Sequence, residues 1–112
     1  MGKIRRGDIW LINLDPTVGH EIRKSRPGVI IQNDIGNEYS FITIIAPITS
    51  KNVDQVYPFE VGLKNSKLDK ESKVLLNQIR AIDKKRLIKK LSAVTFDDLE
   101  KINDAIKISL GL

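Results

Sequence analysis

Cysteine is absent from this sequence and histidine occurs once. The first absence excludes disulfides, thiolate metal ligands and cysteine nucleophiles. The second excludes acid–base chemistry shared between two imidazoles. No apolar run approaches the roughly 18 residues a bilayer span needs, so no membrane association is expected. The opening run Met1-Gly2-Lys3-Ile4-Arg5-Arg6-Gly7-Asp8 is charged with no apolar stretch behind it, so no export signal is expected either. Arg6 stands where an acylation motif after Met-Gly needs Ser or Thr. A cytoplasmic protein is the resulting expectation. Carboxylates and histidine never recur at metal-ligand spacing, and phosphate-cradling glycine loops and G-x-S-x-G elbows are missing, so neither a metal nor a cofactor is expected.

What is present is a chain of 112 residues, enough for one domain spanning residues 1–112 with a real core. Nineteen Lys and Arg stand against fourteen Asp and Glu, a net charge of +5 that favours anionic partners, nucleic acid first among them. Much of the excess lies in Arg23-Lys24-Ser25-Arg26 and in the run from Lys84 to Lys90. A charge run is also the ordinary composition of a solvated face, so this cue alone decides nothing.

Short β-rich stretches dominate. Asp8–Leu14, Gly28–Gln32 and Phe41–Ala46 read as apolar strands, the third stopped by Pro47. Tyr57–Leu63 alternates like a half-exposed strand, Ser72–Arg80 reads as a fifth, and Leu87–Val94 as a short last one. Asn33 to Asn37 is turn chemistry with room for one helical turn. Thr95 then caps an amphipathic helix with Leu99, Ile102, Ile106 and Leu110 on one face. Such spacing predicts a small, closed antiparallel barrel with the helix against one side.

Between the first two strands, the ten residues from Thr17 to Arg26 form a long polar loop, the kind that carries function on small β domains. At its end, Arg26-Pro27 enters a strand. Proline holds the residue before it extended, so Arg26 is rigidly rooted with its guanidinium at a sheet edge. That planar fork suits phosphate, since it donates paired hydrogen bonds to an oxyanion and stays charged. Thr49 supplies a hydroxyl at another strand mouth, and His20 and Glu21 are loop groups able to move a proton. One phosphate reaction needs neither metal nor cofactor: RNA carries its own nucleophile, the 2′-hydroxyl, and a protein has only to orient it, move two protons and stabilise the phosphorane.

Five runs in order, Arg6-Gly7-Asp8-Ile9-Trp10, Leu14-Asp15-Pro16-Thr17-Val18-Gly19-His20-Glu21, Ser25-Arg26-Pro27-Gly28-Val29-Ile30-Ile31-Gln32-Asn33-Asp34, Ala46-Pro47-Ile48-Thr49-Ser50 and Leu75-Leu76-Asn77-Gln78-Ile79-Arg80-Ala81-Ile82-Asp83, resemble the MazF/PemK toxins of bacterial toxin–antitoxin pairs. The resemblance covers nearly the whole chain. It implies a mainly β, SH3-like barrel closed by a C-terminal helix, a homodimer that cuts single-stranded RNA at short sequences without a metal, and inhibition by an acidic antitoxin protein. It also implies 2′,3′-cyclic phosphate and 5′-hydroxyl ends. By motif position the family's catalytic arginine falls on Arg26 and its catalytic threonine on Thr49, and His20, also a catalytic candidate, matches the loop motif of PemK-like members. RNA contact is expected of Glu21, Lys24, Pro47, Ser50, Asn77 and Gln78, with the recognised sequence depending on base-edge contacts around Asn77, Gln78 and the loop from Ser50 to Tyr57. One departure stands out: Asn77 occupies a position often acidic in the family, and an amide cannot act as a general base. Arg26, helped by His20 or Glu21, must then carry more of the proton transfer. A different class remains on the same fold, a non-catalytic toxin or nucleic-acid-binding barrel of gyrase-poison type, which would act through its C-terminal helix rather than through Arg26 and Thr49.

Overall fold

A computed structural model describes residues 3–63 and 68–112, and the Met1-Gly2 start of the N-terminal run lies outside them. The elements are β1 (Asp8–Asn13), β2 (Ser25–Ile30), α1 (Asp34–Tyr39), β3 (Ile42–Thr49), β4 (Glu60–Leu63), β5 (Ser72–Leu75), β6 (Arg80–Asp83), β7 (Leu87–Ala93) and α2 (Phe96–Leu110). Two short 3-10 turns lie at Leu76–Gln78 and Lys84–Arg86. All pairings are antiparallel, in the order β4-β5-β3-β2-β1-β7, with β6 also on β3.

The nearly all-apolar strands are explained by burial on both faces. On one side Ile9, Val29, Ala46 and Ile48 pack with Val61, Val74 and Leu76 beneath Ile102 and Ala105 of α2. On the other, Trp10, Ile12, Leu14, Ile30 and Ile45 pack with Ile82 and Leu87. Each fully buried aliphatic side chain contributes about 1.5–3 kcal/mol relative to exposure. Gly28 is required where it sits, because a Cβ there would lie 2.7 Å from Ile12 Cδ1 and 3.3 Å from the Ala46 carbonyl.

Several expectations are corrected. Pro47 does not stop β3, which runs on to Thr49. Along one edge, β3 pairs with β6 through Ile45 and with β5 from Ile48, and Pro47 falls in the gap where the partner changes. A missing amide donor costs nothing on that edge. The stretch read as one strand from Ser72 to Arg80 is two strands joined by the Leu76–Gln78 turn. Ile48 pairs with Val74 but Ile45, three residues away, pairs with Arg80, six away; the turn takes up the difference. β2 begins at Ser25, which places Arg26 inside the strand rather than ahead of it. The Asn33–Asn37 turn opens a six-residue helix, α1, capped by the Asn33 side chain. The last strand, β7, is seven residues long. Strand pairing does not close the barrel among the described residues, since β4 and β7 end the order. The sheet is mainly β and barrel-like, with α2 over one side. On α2 the buried residues are Asp98, Ile102 and Ala105, while Leu110 is 60% exposed.

Candidate active site

Three elements converge on a cleft of about 450 Å³: the loop between β1 and β2, the end of β3, and the β4–β5 pair with the turn after it. Its walls include His20, Glu21, Arg23, Arg26, Thr49 and Gln78, with Lys51, Asn52, Glu60 and Lys73 completing them. Four cations against two carboxylates, with Lys73 and Glu60 paired to each other, leave the cleft an excess of positive charge that favours an anion.

The β1–β2 loop is long but tied down. Its neck closes with the Leu14 amide donating to the Lys24 carbonyl at 3.1 Å and the Lys24 amide to Asp15 Oδ1 at 3.0 Å, with Lys24 at φ 69°. Arg80 Nη1 donates to the Leu14 carbonyl at 2.9 Å, and Arg86 Nη1 reaches the Asn13 and Asp15 carbonyls. At the tip, Gln78 Oε1 accepts from the Ile22 amide at 2.9 Å. These contacts present His20 and Glu21 to the cleft from an anchored loop, although both side chains are exposed. The Glu21 carboxylate accepts from the Val18 amide within the loop.

Arg26 is half-buried and faces Ile12 across β1. Its Nε donates to the Arg23 carbonyl at 3.2 Å. That bond fixes the guanidinium plane and leaves both terminal nitrogens without a partner among the described residues, which is the arrangement for a bidentate grip on a phosphate. Thr49, also half-buried, accepts from the Lys51 amide at 3.1 Å through Oγ1. With its oxygen engaged from behind, the hydroxyl proton is free to be donated outward.

Of the positions named from sequence, Arg26, Thr49, His20, Glu21 and Gln78 come together here. Asn77 and Pro47 line a neighbouring groove of about 390 Å³ that shares Glu21, Ile22 and Gln78 with the cleft and adds Arg80. Lys24 and Ser50 are exposed and line neither. Sequence reasoning does not find Glu60 or Lys73. Lys73 Nζ lies 2.9 Å from Glu60 Oε1, with the two side chains only 5% and 8% exposed. In β5 its register partner is Thr49 of β3, so the two side chains share a face. The one available signal was a lysine inside the apolar run Ser72-Lys73-Val74-Leu75.

A small, curled antiparallel sheet with a cationic cleft built around an arginine and a hydroxyl defines a class of compact anion-binding β proteins. Comparison with known proteins then narrows the class. The model of the PemK-like, MazF-like toxins of type II toxin–antitoxin systems matches residues 5–110, and the chain belongs to that family. It is 47% identical over 111 residues to the endoribonuclease MazF of Staphylococcus saprophyticus, covering 97% of this chain and 92% of that one. The fold is similar to that of crystalline MazF from Deinococcus radiodurans, with a TM-score of 0.86, 26% identity and full coverage of both chains. It is also similar to a mycobacterial endoribonuclease solved with its cognate antitoxin, with a TM-score of 0.82 and 23% identity over 97% of this chain and 96% of that one.

Proposed function

We propose that this chain is the toxin of a toxin–antitoxin pair and a sequence-specific, metal-independent endoribonuclease that cuts single-stranded RNA. Family membership and 47% identity to a named endoribonuclease support the class. The observation that carries the chemistry is the pairing of Arg26 and Thr49 in one cationic cleft. The scissile phosphate lies against the Arg26 fork and accepts the Thr49 hydroxyl, which meets the negative charge that grows on the phosphoryl oxygens as the substrate becomes a phosphorane. The 2′-oxygen bonds to phosphorus, its proton passes to the protein, the bond from phosphorus to the 5′-oxygen breaks, and that oxygen takes up a proton. A 2′,3′-cyclic phosphate and a 5′-hydroxyl result.

His20 is the candidate in the cleft for proton transfer, since one imidazole ring carries both a hydrogen-bond donor and an acceptor nitrogen. Asn77 stands in the neighbouring groove and, as an amide, takes no proton. Glu21, Gln78 and the groove beyond them, with Asn77 and Pro47, provide surface for the flanking nucleotides. The whole chain, residues 1–112, is read as one toxin domain acting in the cytoplasm on RNA, as a homodimer, and held inactive by an acidic antitoxin protein. Among the described residues no helix is long and apolar enough to cross a membrane.

The test is incubation of a long mixed-sequence RNA with the purified protein in excess chelator. Cleavage at a short recurring sequence is expected, with 5′-hydroxyl ends. Arg26→Ala should abolish it with the fold intact, and Thr49→Ala should lose roughly 10²–10³ in rate, as when one oxyanion donor is removed elsewhere. RNA left intact in every condition would refute the activity.

A further inference from the structure

The buried pair Glu60–Lys73 is unexplained by the chemistry above. Taking two charges out of water is costly, and an apolar pair of similar volume would serve the core as well or better. Its contacts point to what it does. Lys73 Nζ donates not only to Glu60 Oε1 but also to the Gln55 carbonyl, at 2.7 Å. Glu60 Oε1 in turn accepts from the Tyr57 amide at 3.1 Å. Gln55 and Tyr57 belong to the irregular segment from 50 to 59 that joins β3 to β4. The Gln55 amide donates to the Asn52 carbonyl at 3.2 Å, and the Lys51 amide to Thr49 Oγ1 at 3.1 Å. A hydrogen-bonded path thus runs from the buried ammonium through Gln55 to Asn52, which lines the cleft and directly follows Lys51, the residue tied to Thr49 Oγ1. Asn52 is held in the left-handed region at φ 53°, a conformation asparagine tolerates better than most residues.

We propose that Lys73, fixed by Glu60, latches the 50–59 segment so that Asn52 presents its amide to the cleft and reads the base edge of a nucleotide beside the scissile phosphate. This rests on the nuclease reading given above. A carboxamide offers one acceptor and two donors in a plane, the pattern that distinguishes bases by their hydrogen-bonding edges, and single-stranded RNA exposes those edges. Lys73 and Glu60 are positioning residues; Asn52 is the reader. The latch sits on the same sheet face as Thr49, so the reader and the phosphate contact share one rigid support.

The experiment maps cut sites over a long mixed-sequence RNA for the wild type, the double variant Glu60→Gln/Lys73→Met and Asn52→Gly. The double variant leaves no unpaired buried charge, and glycine keeps the positive φ while removing only the side chain. Discrimination at one nucleotide position should fall by roughly tenfold in both, and at the same position, the scale of one lost base-edge contact. Amide exchange at Gln55, whose amide donates to the Asn52 carbonyl, should quicken in the double variant, which has lost the bond from Lys73 to the Gln55 carbonyl. A folded double variant that keeps the wild-type pattern would overturn the latch, and so would an equal loss at every site with a shallower salt dependence, because that is the signature of a phosphate contact. Asn52→Gly with unchanged site choice would overturn the reader. Should the double variant not fold, Asn52→Gly and amide exchange at Gln55 in Lys73→Met still decide. A wild type that leaves the RNA intact removes the nuclease reading itself, a result separate from any of these.

Discussion

Arg26 stood out because it precedes a proline that fixes its conformation, and Thr49 because it falls in the Ala46–Ser50 run that resembles the toxin family, since the sequence places the strand end at Pro47, ahead of it; the structure brings both to one cleft. Lys73 was not legible, since its burial comes from strands and a loop distant in sequence, and a lysine in a short strand reads as solvent-facing. Asn37 is similar. Read as part of a turn, it is 4% exposed, accepts from Thr43 Oγ1 at 2.7 Å and donates to the Gln32 carbonyl at 2.9 Å. Beside it, Asp34 in the first turn of α1 accepts from the Arg6 amide at 2.7 Å and from Asn37 Nδ2 at 3.3 Å. The Arg6 amide, more than any charge nearby, holds the Asp34 carboxyl below its ordinary value of 3.8. Because its folded-state pKa lies below the unfolded one, its contribution to stability is complete above the unfolded value and is lost as pH falls through the folded value. Asp34→Asn should therefore unfold at lower urea than the wild type at pH 6, by no more than about 1 kcal/mol for so exposed a carboxylate, and the gap should close toward pH 3. A gap that widens on acidification would contradict this origin.

At the scale of elements, the hydrophobic pattern located β1 to β5, β7 and the long helix but ran β5 and the start of β6 together, because partner changes along β3 set where strands break. Sequence periodicity cannot report which strand sits on which edge, and so neither the continuation through Pro47 nor the turn that splits β5 from β6 was visible. That turn places Asn77 in the neighbouring groove and Gln78 in both. It is also held from behind by α2, where Ser109 Oγ donates to the Leu76 carbonyl at 2.8 Å. The helix face was read correctly at Ile102, which is fully buried, and wrongly at Leu110. Ile102→Ala should cost about 2–5 kcal/mol in chemical denaturation, the range for a cavity left under a fixed helix. Leu110→Ala should change unfolding of the monomer by within about 0.5 kcal/mol. Equal costs at the two positions would mean that the helix packs through a different face.

For the whole molecule, surface area bears on assembly. The chain exposes 7018 Å², whereas a compact monomer of its 12.7 kDa exposes about 6,200 Å². The excess is near the roughly 800 Å² that each partner contributes to an interface of standard size. Large apolar side chains account for part of it: Phe41 is 86% exposed, Tyr39 79%, Ile35 74% and Leu112 85%. Scattered apolar groups are normal on any surface, but several this open beside one short helix are more than solvation alone explains. Pairing two copies would cover such surface and set two cationic clefts on one particle, at the cost of bringing two charges of +5 together. Salt screens that repulsion while leaving apolar burial in place, so the association should tighten between low and physiological ionic strength. Binding of RNA should move the other way, weakening with salt because the counterions released as phosphate contacts form are released less favourably into a saltier solution. Sedimentation at micromolar concentration is expected to give twice the chain mass, more completely at 150 mM salt than at 20 mM. A monomer at both would leave the exposed apolar groups for another partner, and the acidic antitoxin would then be the first to test against them.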